Sequence, residues 1–231
     1  ALAERLAQVE CPALTARRAR RGERSGVPHD PISWVAARGA NVRDADGNLY
    51  VDLTGGFGVA QAGHGLPEVV EAVQAQAARL MHALGDVQPS DRKVQLLERL
   101  CALAPWEARA ILGLSGADAV EAALKTALLH TGEPGVLAFE GGYHGLSHGP
   151  LATCGYSEGF RAPFAAQLNP HVTFAPFPAP DAPLDAAMAA VEASAVALPK
   201  LGAVLVEPIQ GRGGVRCPPA GFLRRLGDWA R

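Results

Sequence analysis

Glu207, Gln210 and Arg212 stand close together in Val206-Glu207-Pro208-Ile209-Gln210-Gly211-Arg212-Gly213-Gly214. Pro208 restricts the backbone beside the carboxylate, and the glycines allow a tight path after it. A charged group fixed in this way suits a polar site around a ligand, and equally suits a Glu–Arg pair on the surface. Glu140-Gly141-Gly142-Tyr143-His144-Gly145 is a second candidate. Its paired glycines permit a turn that sets Tyr143 where its flat face could stack on a planar aromatic ligand. His144 and His148 have the i, i+4 spacing of helical metal ligands, but Gly145 and Pro150 argue against a helix that joins them. In Ser115-Gly116-Ala117-Asp118 a helix-capping serine precedes an acidic residue by three positions, the pattern of a capping box. A helix N-terminus offers unpaired amides and the positive end of a dipole, so it receives anions. A capped helix with no ligand satisfies the same pattern.

The elements that must position these residues follow from periodicity. Short apolar runs at Ala110 to Leu114, Val136 to Phe139, Val172 to Ala175 and Ala203 to Val206 predict strands. Helical patterns alternate with them at Ala117 to His130, Leu184 to Ala197 and Ala220 to Arg231, the rhythm of an α/β fold with a mostly parallel sheet. In such sheets ligands bind beyond the carboxyl ends of the strands, where all three candidate segments fall. Upstream, Asn41 to Leu53 alternates around Asp46-Gly47 and predicts an antiparallel hairpin. Helices are expected from Pro67 to Leu84, stopped by Gly85, and from Arg92 to Leu103. Gly145 to Pro170 holds too much Gly and Pro to assign.

Composition excludes several classes. The 231 residues are 48% hydrophobic and 19% charged, which is ordinary for a globular chain. A net charge of -2 gives no global pull toward nucleic acid or anionic membrane. No apolar run approaches the roughly 20 residues of a membrane span. Cys11, Cys101, Cys154 and Cys217 are scattered singly, which favours a reducing compartment and a cytoplasmic location. The basic stretch Arg17 to Arg24 is expected to be a solvated, mobile segment and not a nucleic-acid arm.

Taken in order, these pieces resemble the class III (omega-amino acid) pyridoxal-phosphate-dependent aminotransferases, the family of the ornithine, 4-aminobutyrate and acetylornithine enzymes. Val42 to Asp52 is similar to the family's Asp-x-x-Gly-x-x-Tyr-x-Asp hairpin, and Gly63-His64 to its Gly-His. Ser115 to Ala119 resembles its Ser-Gly-(Ser/Thr/Ala)-Glu-Ala phosphate loop, with Asp118 for Glu. Gly142 to Gly145 is similar to its aromatic Gly-Tyr-His-Gly, and Glu207 to Gly211 to its Glu-Pro-Ile-Gln-Gly. The resemblance implies fold type I, with residues 1–60 in a small domain that holds the hairpin and 61–231 as the first part of a large cofactor-binding domain. It implies pyridoxal 5'-phosphate as cofactor, with Ser115, Gly116 and Ala117 at its phosphate, Tyr143 stacked on its ring, and His144 and Glu207 beside it. Phe57 and Arg212 fall to the substrate, which is an amino donor or a 2-oxo acid acceptor, and a homodimer is expected.

The family's Schiff-base lysine belongs to a later Ser/Thr-Lys loop, and its ring-nitrogen aspartate to an Asp-Glu-x-x-x-Gly strand; neither pattern occurs in these residues. The fold is therefore expected to be incomplete and the catalytic lysine absent. Lys125 falls about 12 Å down its helix from the phosphate loop, Lys200 about 20 Å from Glu207 across a strand, and Lys93 on a solvated helix. Leu146 stands where several members carry a carboxylate-binding arginine, and Arg212 where others carry a glutamate. Glu133 replaces a common arginine. Beside an aminotransferase, the alternatives are a catalytically inactive, dimerising or regulatory relative and a pyridoxal-phosphate aminomutase.

Overall fold

The computed structural model describes residues 2–25, 32–85 and 87–231. They divide into two compact units, Ala1–Asp91 and Arg92–Arg231.

The first unit opens with helices α1 (Leu2–Val9) and α2 (Pro12–Ser25). The Arg17 to Arg24 run, expected to be mobile, lies inside α2. Its arginines and alanines are strong helix formers, Pro12 is preorganised for a first turn, and Arg18 reaches back to Glu10. The predicted hairpin forms from β2 (Asn41–Asp44) and β3 (Leu49–Val51), with Gly47 at φ 90° in the turn. Asp44 organises that turn. Its buried carboxylate accepts the backbone N–H groups of Asp46 and Asn48 at 3.0 and 2.8 Å, the Asn48 side chain at 2.9 Å and the Tyr50 hydroxyl at 3.0 Å. A strand that periodicity did not reveal, β1 (Trp34–Arg38), adds antiparallel to β2. Helix α3 (Pro67–Arg79) starts on the expected proline but ends before Leu84, because Leu80 turns to extended backbone (φ −162°, ψ 105°).

Asp52 fastens the chain after the hairpin. One carboxylate oxygen accepts from the Thr54 backbone and hydroxyl at 3.1 and 2.8 Å; the other accepts from Gly56 N–H at 2.8 Å and lies 2.9 Å from His64 Nε2. These bonds clamp a left-handed turn through Gly55, Gly56, Phe57 and Gly58, at φ 56°, 59°, 59° and 84°. Glycine adopts this conformation freely. Phe57 does not, and it persists only where surrounding bonds dictate the path.

The second unit carries α4 (Asp91–Leu103), whose first residue belongs to the first unit, then α5 (Gly116–Thr131), β4 (Gly135–Phe139), α6 (His148–Ala152) and α7 (Glu158–Arg161). A 3-10 turn (Ala162–Gln167), β5 (Val172–Ala175), α8 (Leu184–Ala195), β6 (Leu201–Val204) and α9 (Phe222–Ala230) follow. The sheet is parallel in the order β5-β4-β6. Central β4 is buried throughout, which is why it reads as an unbroken apolar run. Leu137, Phe139 and Ala175 pack with Met188 and Val191 of α8 and Phe222 and Leu226 of α9. Phe139 meets the rings of Phe177 and Phe222 edge-on at 6.0 Å. β6 begins two residues before the predicted run. Ala110 to Leu114, predicted as a strand, is not one: no neighbour among the described residues supplies a ladder, and Ile111 and Leu114 are 77% and 101% exposed.

The Asp52 cluster makes a direct prediction. Its bonds, that with His64 foremost, hold the Asp52 carboxyl at about 2, below the ordinary 3.8. A lowered folded-state value stabilises the unit above the ordinary carboxylate pKa, and this contribution is lost as pH falls from there through about 2. Carbon-13 NMR of the Asp52 carboxyl should show titration near 2, moving up toward 3.8 in His64→Ala.

Candidate functional site

Because β4, β5 and β6 are parallel, their carboxyl ends share one rim, and residues just past them meet there. Glu207, beyond β6, makes the central link. Its Oε1 accepts from the Tyr143 backbone N–H at 2.6 Å and its Oε2 from Gly211 N–H at 3.3 Å. The carboxylate thus joins the 207–211 turn to the 140–145 loop beyond β4. Gln210, wholly buried and given no role by the sequence, makes a second link: its Nε2 donates to the Glu140 carbonyl at 2.8 Å. Its backbone also exchanges N–H···O bonds with Arg216, at 2.9 and 3.1 Å. A polar residue in a Gly-rich stretch gives no periodic signal, so only the partner loop reveals this role.

The third segment is reached through Gly145. At φ 127° it lies so close to α5 that a Cβ there would stand 2.8 Å from the Ala117 Cβ. The first turn of α5 therefore adjoins the 140–145 loop, and all three motifs gather on one rim. Ser115 caps α5 by accepting the Asp118 N–H at 3.1 Å. The return arm of the box reaches one residue further than the pattern predicts, since Asp118 Oδ2 accepts from Leu114 N–H at 3.2 Å. The N–H groups of Gly116 and Ala117 have no partner among the described residues, and a Cβ on Gly116 would touch nothing within 4 Å. Two unpaired donors thus stand in open space at the positive end of a helix of 16 residues, where the chemistry favours an anion.

His144 lines the rim with its Nε2 buried and without a hydrogen-bond partner. Burial holds the imidazole below its ordinary pKa, with the Glu207 charge partly opposing, so the ring is neutral at pH 7. Tyr143 is half-buried, and the Arg212 guanidinium lies over its ring at 4.5 Å. Tyr156, from the segment left unassigned by the sequence, meets Tyr143 edge-on at 6.1 Å, and its own ring lies 5.2 Å from the same guanidinium. It arrives through Gly155, whose carbonyl accepts the Gly141 N–H at 3.0 Å. Phe57 lies in the first unit, 89% exposed on its left-handed turn.

Other candidates fall elsewhere. Pro150, expected to oppose a helix, sits in the first turn of α6, where its missing N–H leaves no intrahelical bond unmade. His144 precedes that helix, so His144 and His148 share no helical face. Lys125 pairs with Glu121 at 3.3 Å, and Lys200, at the opposite end of β6 from Glu207, pairs with Glu133 at 3.0 Å. That bridge gives Glu133 a partner the sequence did not suggest.

The second unit is thus an α/β fold whose parallel sheet carries an open helix N-terminus and an aromatic wall at its carboxyl rim. Comparison with known proteins names its class. The aminotransferase class-III family profile matches residues 24–231, and the chain belongs to that family. The 4-aminobutyrate aminotransferase of Mycobacterium bovis is 38% identical over 95% of this chain and 52% of its own length. An alanine/serine racemase of Pyrococcus horikoshii is 30% identical over 87% of the chain and 46% of its own length. The crystal structure of a pyridoxal-phosphate-bound amine transaminase from an uncultivated Pseudomonas species superposes with a TM-score of 0.78 at 29% identity, over 88% of this chain and 51% of that one. The fold is type I, and the chain spans about half the length of the relatives it matches.

Gly145→Ala should lower the stability of the second unit by about 1–3 kcal/mol through backbone strain and the clash with Ala117. Urea denaturation measures the loss, and adding Ala117→Gly should recover only the clash. In proton NMR, His144 should titrate below the ordinary imidazole value, and Glu207→Gln should lower it further by removing the opposing charge.

Proposed function

We propose that this chain is the cofactor-binding part of a pyridoxal-phosphate-dependent aminotransferase that moves an amino group from an omega-amino acid or amine to a 2-oxo acid. One observation carries the reading: two unpaired amides at the open N-terminus of α5 lie beside the loop that bears Tyr143 and His144. The residues fit the cofactor's parts. Gly116 and Ala117 N–H groups and the Ser115 turn suit a phosphate, the Tyr143 ring suits a pyridine face, and the buried, unpartnered His144 Nε2 marks a polar surface awaiting a donor or acceptor. Bound there, the cofactor would act as an electron sink for the carbon that bears the amine. Glu207, spent on two backbone N–H groups, holds the wall in shape and is not free to exchange protons. His144, neutral, adds no charge to it.

The reading takes residues 61–231 as the start of the cofactor-binding domain, Phe57 and Arg212 as substrate contacts, and a cytoplasmic homodimer as the assembly. Lys125 and Lys200 are ion-paired away from the rim, so neither serves as the Schiff-base lysine. The Pyrococcus relative favours a second reading, racemisation, because the same wall serves either outcome. Amino transfer is tested with the product of the whole reading frame, an amine donor and 2-oxoglutarate: glutamate formation supports it, whereas loss of optical activity in alanine without glutamate supports racemisation.

Gly116→Pro isolates the phosphate contact. Proline suits the first position of a helix and the extended Ser115 before it, so folding should be preserved while one N–H donor disappears. Titration followed by visible absorbance should show pyridoxal phosphate binding about tenfold weaker or more, as for loss of a charge-assisted hydrogen bond, with pyridoxal lacking the phosphate unaffected. Unchanged affinity for the phosphate ester would refute the assignment.

A further inference from the structure

Three arginines approach the rim, and they differ in what their N–H groups do. Arg161 donates to the Cys154 carbonyl at 2.5 Å and lies over Phe174. Arg216 donates to the Phe177 carbonyl at 3.1 Å. Arg212 has no hydrogen bond or ion pair among the described residues; aromatic rings alone hold it, Tyr143 at 4.5 Å and Tyr156 at 5.2 Å. Glu207, the carboxylate that joins the two rim loops, is already committed to two backbone N–H groups. Stacking uses the faces of a guanidinium and leaves its in-plane N–H fork free, and that fork matches a carboxylate bidentately. Tyr156 is itself braced, lying parallel on Phe160 with centroids 6.0 Å apart and edge-on to Tyr143. An aromatic bracket therefore holds one unspent cation against the loop that bears Tyr143 and His144.

We propose that Arg212 is the receptor for a carboxylate of the substrate, and that Tyr156 is the specificity-determining residue that holds its guanidinium in place. This rests on the aminotransferase reading and narrows its substrates to acids that carry a carboxylate beyond the reacting carbon. The electrostatics agree: a cation over two ring faces loses little by stacking and keeps its charge for an anion. Leu146, on the same loop as Tyr143, offers no competing cation.

Glutarate is the probe, titrated into the 231-residue chain by calorimetry and by tyrosine difference absorbance, since Tyr50, Tyr143 and Tyr156 are its only tyrosines. Saturable binding with a tyrosine signal is expected, and Arg212→Ala, a change at an exposed position, should abolish both. Tyr156→Phe keeps the ring and should bind as the parent does. Tyr156→Leu keeps an apolar side chain without the quadrupole and should bind about tenfold more weakly, the size of a partly desolvated cation–π contact. Absence of saturable binding, binding that survives Arg212→Ala, or equal affinity in the Phe and Leu variants would overturn the proposal. A parallel titration with pyridoxal phosphate separates the two readings. Cofactor binding without glutarate binding sinks this inference alone, and glutarate binding without cofactor binding sinks the aminotransferase reading and leaves an anion receptor.

Discussion

The rim depends on one carboxylate. Glu207 accepts an N–H from a loop 64 residues away in sequence, and that bond stops the 140–145 and 207–211 segments from moving independently. A charge-assisted bond to a backbone donor is worth about 1.5–3 kcal/mol, enough to select one arrangement of two glycine-rich loops. The loop beyond β4 takes its place from this link together with that of Gln210 to the Glu140 carbonyl. Tyr143 is held at its own amide, His144 follows it, and Gly145 brings the loop against α5.

Glycine's usual contribution is freedom, but here it provides nearness. Gly145 permits Ala117 to approach, and Gly155, whose added Cβ would stand 2.2 Å from the Phe139 carbonyl, lets the Tyr156 segment lie along the end of β4. The sheet supplies a flat base with its strands ending together. The loops then crowd onto that edge at distances only a missing side chain allows. Glycines at these positions lose more conformational entropy on folding than other residues would, and the buried aromatic core of Phe139, Phe177 and Phe222 offsets it from beneath.

Much of this was legible in the residues alone. The apolar runs of β4 and β5, the cap at Ser115 and the Asp46-Gly47 turn depend on local chemistry, and each stands where its pattern put it. What escaped detection depends on partners distant in sequence. Ala110 to Leu114 has a strand's composition but no ladder to join, and β1 has an unremarkable composition but a ready neighbour in β2. The motif around Gln210 was visible but its role was not, and Tyr156 gave no signal, because a buried amide and an aromatic in a broken stretch take their meaning from loops that only the fold brings close. The Arg17 to Arg24 run misled in the other direction: Glu23 and the surrounding Gly and Ser suggested mobility, whereas the helix propensity of the arginines and alanines prevailed in α2.

The packing of Gln210 constrains how the rim can change over evolutionary time. A Cβ on Gly141 would come within 2.7 Å of Gln210 Oε1, and one on Gly213 within 2.8 Å of the Gly141 carbonyl. These positions interlock, so none can drift alone, and neither loop can gain or lose a residue without breaking the register with the other. Diversification of what the rim accepts is thereby channelled to residues whose side chains stand clear of the interlock, Leu146 and Arg212 among them, while the frame beneath stays unchanged.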